Sequence, residues 1–121
     1  MKYVRLYADK NGQSHFEQAT LALDEADYRP PAPLFHVSHA FPTDGLQFVR
    51  LPSGWAADAM APPKKQFFLC LKGHLELTAG DGEKRSFGPG DSVLMDDAHG
   101  KGHRSRVKGD AEFLAAVIPI D

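Results

Sequence analysis

Short runs of alternating apolar and polar residues, separated by turn residues, extend along most of this chain. Residues 3–8 alternate in this way and are rich in aromatic and β-branched side chains, which indicates a half-buried strand. No segment shows the longer helical period of apolar residues, and residues 55–63 show neither pattern and are expected to be irregular. The pattern predicts about nine or ten strands, at residues 3–8, 14–17, 34–38, 46–51, 66–71, 75–78, 85–87, 92–95, 104–107 and 113–118.

Turn residues recur roughly every 8–12 positions, and this spacing indicates the class of fold. Residues 9–12, 79–82 and 88–91 contain the Asn-Gly, Asp-Gly and Gly-Pro-Gly-Asp sequences that favour tight turns. Such spacing without a long helix is typical of a β-sandwich or a closed β-barrel. Residues 21–27 are expected to hold at most one helical turn. Residues 28–33, with three prolines, are expected to form an extended arm.

The composition limits the class of protein. At 121 residues, with 42% apolar and 25% charged residues, the chain is expected to form one globular domain, residues 1–121. Residues 1–45 are interpreted as an N-terminal strand and proline-rich arm, and residues 46–121 as the core. A net charge of −2 gives no sign of nucleic-acid binding, and no apolar run reaches the ~18 residues of a membrane helix. The N-terminus lacks the apolar core of a signal peptide, so a cytoplasmic location is expected.

A framework of regularly spaced glycines carries the clearest motif. Gly54 is followed by Met60, Pro62, Gln66 and Gly73. This spacing resembles the first motif of the cupin superfamily, G-x5-H-x-H-x3-E-x6-G. The two glycines match the motif. Met60 and Pro62 stand at its histidine positions, and Gln66 stands at its glutamate position.

A second segment carries the same resemblance. Residues 87–91 read Phe-Gly-Pro-Gly-Asp, which is frequent in cupins ahead of a core strand, and residues 100–103 match the Gly-x-x-His end of the second cupin motif. The resemblance implies a small all-β protein, an antiparallel jelly-roll β-barrel. It also implies that Gly73 and Gly90 lie in turns that need a positive φ angle. The segment that leads from Gly90 to His103 is two residues longer than the usual pattern.

The resemblance also indicates where a metal would bind. Cupin metal sites use imidazole and carboxylate ligands on neighbouring strands inside the barrel, a set suited to Fe(II) and similar ions. His103 stands at one of these positions, and Gln66 offers a neutral amide oxygen at another. Met60 offers only a thioether, which prefers soft ions, and Pro62 offers no donor. The metal set, His103 and Gln66, is therefore incomplete, and a divalent metal stays open as a cofactor that the sequence does not identify.

Strand alternation adds a candidate pocket for a small-molecule ligand. On a strand over residues 66–71, Gln66, Phe68 and Cys70 share one face, and the cupin resemblance places that face inside the barrel. Apolar walls with a few polar groups suit a small organic ligand. The predicted ligand-binding residues are Trp55, Met60, Gln66, Phe68, Met95 and His103. Cys70, the only cysteine, excludes an internal disulfide and is interpreted as an inert core thiol.

Other histidine and basic residues are weaker candidates. His36 and His39 are three apart, so on a strand they face opposite sides. His99 lies in a glycine-rich loop and is kept as an alternative ligand, and Lys64 or Lys65 as a contact for an acidic ligand. One cluster of basic residues, offset by acidic neighbours, is interpreted as a solvated surface: Lys101, Arg104, Arg106 and Lys108, with Asp96, Asp97 and Asp110.

Three functions stay open. The first is a small-molecule-binding cupin with a degenerate metal site. The second is an enzyme of isomerase or dioxygenase type, either metal-dependent with His36 or His99 as an extra ligand, or metal-free with His103 as the catalytic acid and base. The third is a non-catalytic dimerisation module. Many small cupins pair through an edge strand, so the resemblance predicts a homodimer, with the strand from Tyr3 as a candidate for that edge.

Overall fold

The computed structural model describes residues 1–26, 33–43 and 45–121 of the chain. These residues form twelve strands and no helix, so no described helix is available to span a membrane, and the predicted all-β class is confirmed. The strands are β1 (Lys2–Ala8), β2 (Ser14–Thr20), β3 (Asp24–Ala26), β4 (Phe35–Val37), β5 (Gln47–Leu51), β6 (Ala56–Met60), β7 (Gln66–Lys72), β8 (His74–Thr78), β9 (Lys84–Phe87), β10 (Ser92–Asp96), β11 (His103–Lys108) and β12 (Phe113–Pro119).

Two main sheets enclose the core. The larger has the strand order β2-β1-β10-β7-β12-β5 and the smaller β6-β11-β8-β9, while β3 and β4 pair separately. All paired strands are antiparallel except β1 and β10, which run parallel. Leu6 and Phe113 of the larger sheet share one fully buried cluster with Leu77 of the smaller sheet. The two sheets therefore form the predicted jelly roll, and the core lies between them.

Strand β7 lies inside the larger sheet, between β10 and β12. Because successive side chains of a strand point to opposite faces, its residues divide into two sets. Phe68 and Cys70 face the core between the sheets, whereas Phe67 belongs to a second apolar cluster with Leu94 and Ile120. The larger sheet is therefore apolar on both faces around β7.

Two of the structural predictions are wrong. Residues 55–63 were expected to be irregular, but residues 56–60 form β6, which pairs with β11. Residues 21–27 were expected to allow a helical turn, but residues 24–26 form β3 against β4. Both strands are short and poor in strand-forming residues, so pairing with a partner strand, rather than intrinsic propensity, stabilises them. Of the expected proline-rich arm, residues 28–32 lie outside the described residues.

The predicted edge position of the N-terminal strand is also wrong. Strand β1 is paired on both sides, with β2 and with β10, and β2 and β5 are the edges of the larger sheet. Strand β1 is thus covered on both sides by strands of its own chain. By contrast, the turn glycines are confirmed, since Gly73 has φ +76° and Gly90 has φ +90°.

Ser14 and His15, at the start of β2, join three loops at one end of the barrel. Nε2 of His15 lies 2.8 Å from Asp9 Oδ2, and its Nδ1 lies 2.8 Å from Asp81 Oδ2. Nearby, Ser14 Oγ donates to the carbonyl oxygen of Gly102 at 2.9 Å, directly before the candidate residue His103. The hydrogen bonds with Asp9 and then Asp81 raise the pKa of His15, while the pKa values of both aspartates are lowered.

This junction predicts a pH-dependent stability. The raised pKa of His15 contributes stability that is fully present below its ordinary value of 6.5 and is lost as pH rises through the raised pKa. The lowered pKa values of Asp9 and Asp81 contribute stability that is present above their ordinary 3.8 and is lost as pH falls. We expect His15→Asn to lower the melting temperature by a few degrees, with the largest difference between about pH 4 and 6.5.

The measurement is a series of thermal melts from acidic to alkaline pH. The matched control is His99→Asn, because His99 is exposed and takes no part in the bonds of His15 with Asp9 and Asp81. A difference between wild type and His15→Asn that stays constant across the pH range would contradict an ionised bridge between the loops.

Candidate functional site

A cavity of about 190 Å³ lies between the two main sheets. All six residues that the sequence predicts as ligand-binding residues line it: Trp55, Met60, Gln66, Phe68, Met95 and His103. The remaining lining residues are Val49, Leu51, Ala61, Pro62, Pro63, Leu75 and Ser105. The structure thus brings the predicted set together, and binding of a ligand there stays a prediction.

Strand pairing explains this convergence. Met95 of β10 lies opposite Gln66 of β7, and Met60 of β6 lies opposite His103 of β11. Each pair therefore contributes neighbouring side chains, one pair from each sheet. Phe68 follows Gln66 on the same inward face of β7. Met60 is 58% exposed, so it lies at the mouth of the cavity rather than at its floor.

The cavity lining contains no charged side chain. Apart from the histidine, its polar side chains are Gln66 and Ser105, and the other lining residues are apolar or aromatic. Sites for small organic molecules have this composition, in which a few polar groups orient a ligand against apolar walls. The arrangement disfavours an ionised ligand, because burial of an unpaired charge is costly.

His103 is held by a buried partner, Asp97, that the sequence does not predict as a site residue. Its Nδ1 lies 2.7 Å from Asp97 Oδ2, and His103 is 7% and Asp97 0% exposed. With Asp97 as a carboxylate, the bond places a proton on Nδ1 and leaves Nε2 as the ring nitrogen available to a ligand. The interpretation of Asp97 as part of a solvated surface is therefore wrong. Its one sequence signal is its place directly after β10, two residues beyond the apolar Met95.

The residues present do not fit the metal set that the cupin resemblance implies. His103 and Gln66 both line the cavity, but Pro62 offers no donor and the Met60 thioether is a poor ligand for a hard ion. Within residues 1–26, 33–43 and 45–121, no three His, Cys, Asp or Glu side chains are grouped so that they could hold a metal ion. We therefore derive no chemistry through a metal.

The alternative histidine ligands lie elsewhere. His36 is exposed and faces Glu25, with 3.9 Å between Nε2 and Oε1. The ring of His39 contacts that of Phe41, with 4.3 Å between centroids. Neither residue lines the cavity, and nor does the exposed His99. The structure thus does not support either His36 or His99 as an additional metal ligand.

Cys70 and the basic cluster take no part in the cavity. Burial raises the pKa of the Cys70 thiol to about 12, so the thiol stays protonated at neutral pH and is a poor nucleophile. Arg106 and Lys108 both pair with Glu76, at 3.2 and 3.7 Å, on the outer side of the smaller sheet. Lys64 and Lys65 do not line the cavity either. These contacts agree with a solvated surface for the described basic residues.

Gly102 allows β6 to approach the candidate site closely. Its φ is +84°, and a Cβ atom there would overlap the backbone of Met60 and Ala61. A side chain at this position would therefore push β6 away from β11 beside His103. Gly54 provides a useful comparison, because its φ is +82° but a Cβ there would meet open space.

The two glycines predict different effects of the same substitution. Gly54→Ala should lower the free energy of unfolding by about 1–2 kcal/mol through backbone strain alone. Gly102→Ala should lower the free energy of unfolding by that amount and by roughly 1–3 kcal/mol more, because its Cβ overlaps Met60. Denaturant unfolding of both variants and the wild type measures the difference. Equal losses would show that the close approach of β6 does not constrain the site.

Comparison with known proteins shows which family and which solved structures this chain resembles. Residues 47–118 match a family profile described as a Cupin domain. A Cupin 2 conserved barrel domain protein from Salinispora arenicola CNS-205 superposes with a TM-score of 0.51 at 16% identity, over 84% of this chain and 76% of that chain. The cupin domain of Schizosaccharomyces pombe Cnp3 gives a TM-score of 0.53 at 12% identity, over 89% and 73%. A search of curated proteins found no match.

Proposed function

The chain belongs to the cupin domain family, and from that premise we propose that it binds a small, uncharged, largely apolar organic molecule inside its barrel. One observation carries the proposal: the apolar cavity is lined by three polar side chains, Gln66, Ser105 and His103, and by no Asp, Glu, Lys or Arg. Fold alone would not support it, because one architecture serves many functions.

The size of the cavity limits the ligand to a few heavy atoms. An apolar protein cavity of about 150 Å³ is enough to hold benzene. The present cavity, at about 190 Å³, suits a single ring with one small substituent. Trp55 and Phe68 supply aromatic walls, and Met95, which is 3% exposed, supplies an adaptable apolar one.

The polar groups favour a ligand that carries a hydroxyl group. With Nδ1 of His103 bonded to Asp97, Nε2 is left to accept a hydrogen bond from the ligand. The amide of Gln66 can both donate and accept, so it can bond the same oxygen. A hydroxyl is both donor and acceptor and matches this pair of groups, while a carboxylate would enter a site without a compensating cation.

Phenol is a suitable probe for this proposal. We expect phenol to raise the melting temperature of the wild type, since binding to the native state alone stabilises it. Benzoate at the same concentration should not, because its charge would be buried without a partner. Gln66→Leu should weaken phenol binding about 3- to 10-fold, the usual effect of losing one hydrogen bond. Chelation with EDTA should leave the phenol effect unchanged.

A phenol titration followed by amide chemical shifts in NMR spectra gives the affinity of phenol and the location of its binding site. Gln18→Leu is the matched control, because it makes the same side-chain change on an exposed residue of β2 outside the cavity. Phenol should shift signals around Gln66 and Phe68, and Gln18→Leu should bind it like the wild type. The proposal would be contradicted if benzoate stabilised the wild type as much as phenol does. An equal loss of phenol affinity in Gln66→Leu and Gln18→Leu would contradict it as well.

The buried bond between His103 and Asp97 favours a second candidate function, proton transfer without a metal. A histidine oriented by a carboxylate is an effective general base. In this role Nε2 of His103 would take a proton from carbon next to a carbonyl group, and the Gln66 amide N–H would donate to the enolate oxygen that forms. In an isomerisation, His103 would return the proton to a different carbon of the enolate. In an exchange, His103 would first trade its proton with solvent and then protonate the same carbon.

Cyclohexanone in deuterated water tests this second candidate. We expect the wild type to exchange the hydrogens next to the carbonyl group at least about tenfold faster than His103→Gln, given the usual size of general-base effects. Asp97→Asn should also slow the exchange, and it should weaken phenol binding by no more than about 10-fold, the cost of one lost hydrogen bond. Equal rates for wild type and His103→Gln, measured by proton NMR, would leave ligand binding as the function.

We also propose a cytoplasmic location. The chain has a single cysteine, and Cys70 is a free, buried thiol. Free thiols are the usual state in a reducing compartment, so this residue supports the proposal.

A further inference from the structure

The outer face of the smaller sheet carries a groove lined by charged and hydroxyl side chains. Its volume is about 370 Å³, and it lies across β6, β11, β8 and β9. Its charged lining residues are Asp58, Glu76, Lys84, Arg104 and Arg106. Among the described lining residues, Ser105 is the one that the groove shares with the barrel cavity. The groove is therefore a second concave surface, on the side of the sheet that faces away from the core.

Strand pairing aligns two cations on either side of a hydroxyl group. Arg104 of β11 lies opposite Thr78 of β8, and Thr78 lies opposite Lys84 of β9. Cross-strand partners share a face, so these three side chains stand in one row, with about 4.8 Å between neighbouring strands. Arg104 and Lys84 are exposed, and Thr78 is half-buried between them. We call these three residues the cation row.

The nearest carboxylates beside the cation row are occupied by other cations. Glu76 Oε1 lies 3.2 Å from Arg106 Nη2, and its Oε2 lies 3.7 Å from Lys108 Nζ. Glu83, directly before β9, pairs with Arg85, with 2.6 Å between Oε2 and Nε. Neither carboxylate therefore neutralises a cation of the row.

The groove has an excess of positive charge. Within residues 1–26, 33–43 and 45–121, neither Arg104 nor Lys84 forms an ion pair, and nor does Asp58. Asp58 lies in the stretch of β6 that faces Arg104, where the pairing of β6 with β11 shifts register. With Lys108 included, four cationic side chains stand against the carboxylates of Asp58 and Glu76. Such an excess attracts anions.

A phosphate group matches the donors of the cation row. A phosphate monoester carries about −1.5 to −2 charges at pH 7 and has three strong acceptor oxygens. The guanidinium of Arg104 can bind two of these oxygens at once, and the ammonium of Lys84 can bind as a point charge. The hydroxyl of Thr78 can donate to the group as well. A carboxylate carries only one charge and would leave one of the two cations uncompensated.

The size of the groove favours a phosphate ester over free phosphate. A cavity of about 150 Å³ holds benzene, and the groove has more than twice that volume, about 370 Å³. A phosphate group is smaller than a benzene ring, so most of the groove is left for the organic part of the ligand. The carboxylate of Asp58 can accept a hydrogen bond from a hydroxyl group of that part.

We propose that this groove binds a small phosphorylated molecule, whose phosphate group is held by Arg104, Lys84 and the hydroxyl of Thr78. The three side chains lie on the opposite face of the smaller sheet from His103, and none of them lines the barrel cavity. The site is therefore independent of both functions proposed for that cavity.

NMR titrations of the full chain, followed by amide chemical shifts, test the proposal. The probes are glycerol 3-phosphate and inorganic phosphate, and acetate is the singly charged comparison. We expect glycerol 3-phosphate to shift the signals of Thr78, Lys84 and Arg104 and to bind at least as tightly as inorganic phosphate. Acetate should bind more weakly, because it carries less charge. Saturating phenol should leave these affinities unchanged.

Four exposed residues supply the variants, so each variant should keep the wild-type fold. Lys84→Gln and Arg104→Gln should each weaken the binding of glycerol 3-phosphate about 3- to 10-fold, because each removes one cationic donor from an exposed site. Lys10→Gln is the matched control, since Lys10 is an exposed cation outside the groove. Asp58→Asn should bind inorganic phosphate more tightly than the wild type, because it removes a carboxylate that repels the anion.

Several outcomes would overturn the proposal. The first is that neither phosphate probe shifts the signal of Thr78. The second is that Lys10→Gln weakens binding as much as Lys84→Gln does, which would assign the effect to the overall charge of the chain. Equal affinity for acetate would overturn the choice of phosphate, and binding of inorganic phosphate without glycerol 3-phosphate would overturn the choice of an ester.

Discussion

Strand β7 is apolar on both faces, and much of the structure depends on covering those two faces. Residues 67–71 read Phe-Phe-Leu-Cys-Leu, so neither face of this central strand can be left in water without cost. On the inner face, Phe68 and Cys70 are covered by the smaller sheet, and the gap left beside them is the cavity. On the outer face the chain covers Phe67 with the ring of Phe41 but leaves Leu71 half in solvent.

Much of the fold could be predicted because its signals are local. Strands with alternating residues and turns with Gly73 or Gly90 are specified by a few neighbouring positions, and they lie where the sequence places them. Strand β6 could not be predicted in this way, since Ala-Ala-Asp-Ala-Met has little intrinsic preference for a strand and is ordered by pairing with β11. The parallel contact of β1 with β10 also joins residues far apart in sequence, which no local pattern encodes.

The residues of the candidate site also divide into those that the local sequence predicts and those that depend on non-local contacts. Gln66 and Phe68 follow from strand alternation, and His103 follows from the spacing of a motif, so the sequence could place them on one cavity. Asp97 could not be placed, because its burial depends on how the loop before β11 folds against the turn after β1. That contact is non-local: Lys101 N donates to the carbonyl oxygen of Gly12 at 2.9 Å, and Gly100 lies against Ala8.

The bond between Asp97 and His103 is more readily explained by orientation of the histidine than by stability. Asp97 Oδ2 lies 2.7 Å from His103 Nδ1, but Asp97 Oδ1 has no hydrogen-bond partner among the described residues and is fully buried. A buried polar atom without a partner costs about 1–3 kcal/mol, so an apolar pair of similar size would stabilise the loop better. What the carboxylate supplies instead is a fixed ring whose Nε2 has no described partner, in a largely apolar cavity that Gln66 and Ser105 also line. Both functions proposed for the cavity require that nitrogen, since one needs an acceptor for a hydroxyl group and the other needs a base.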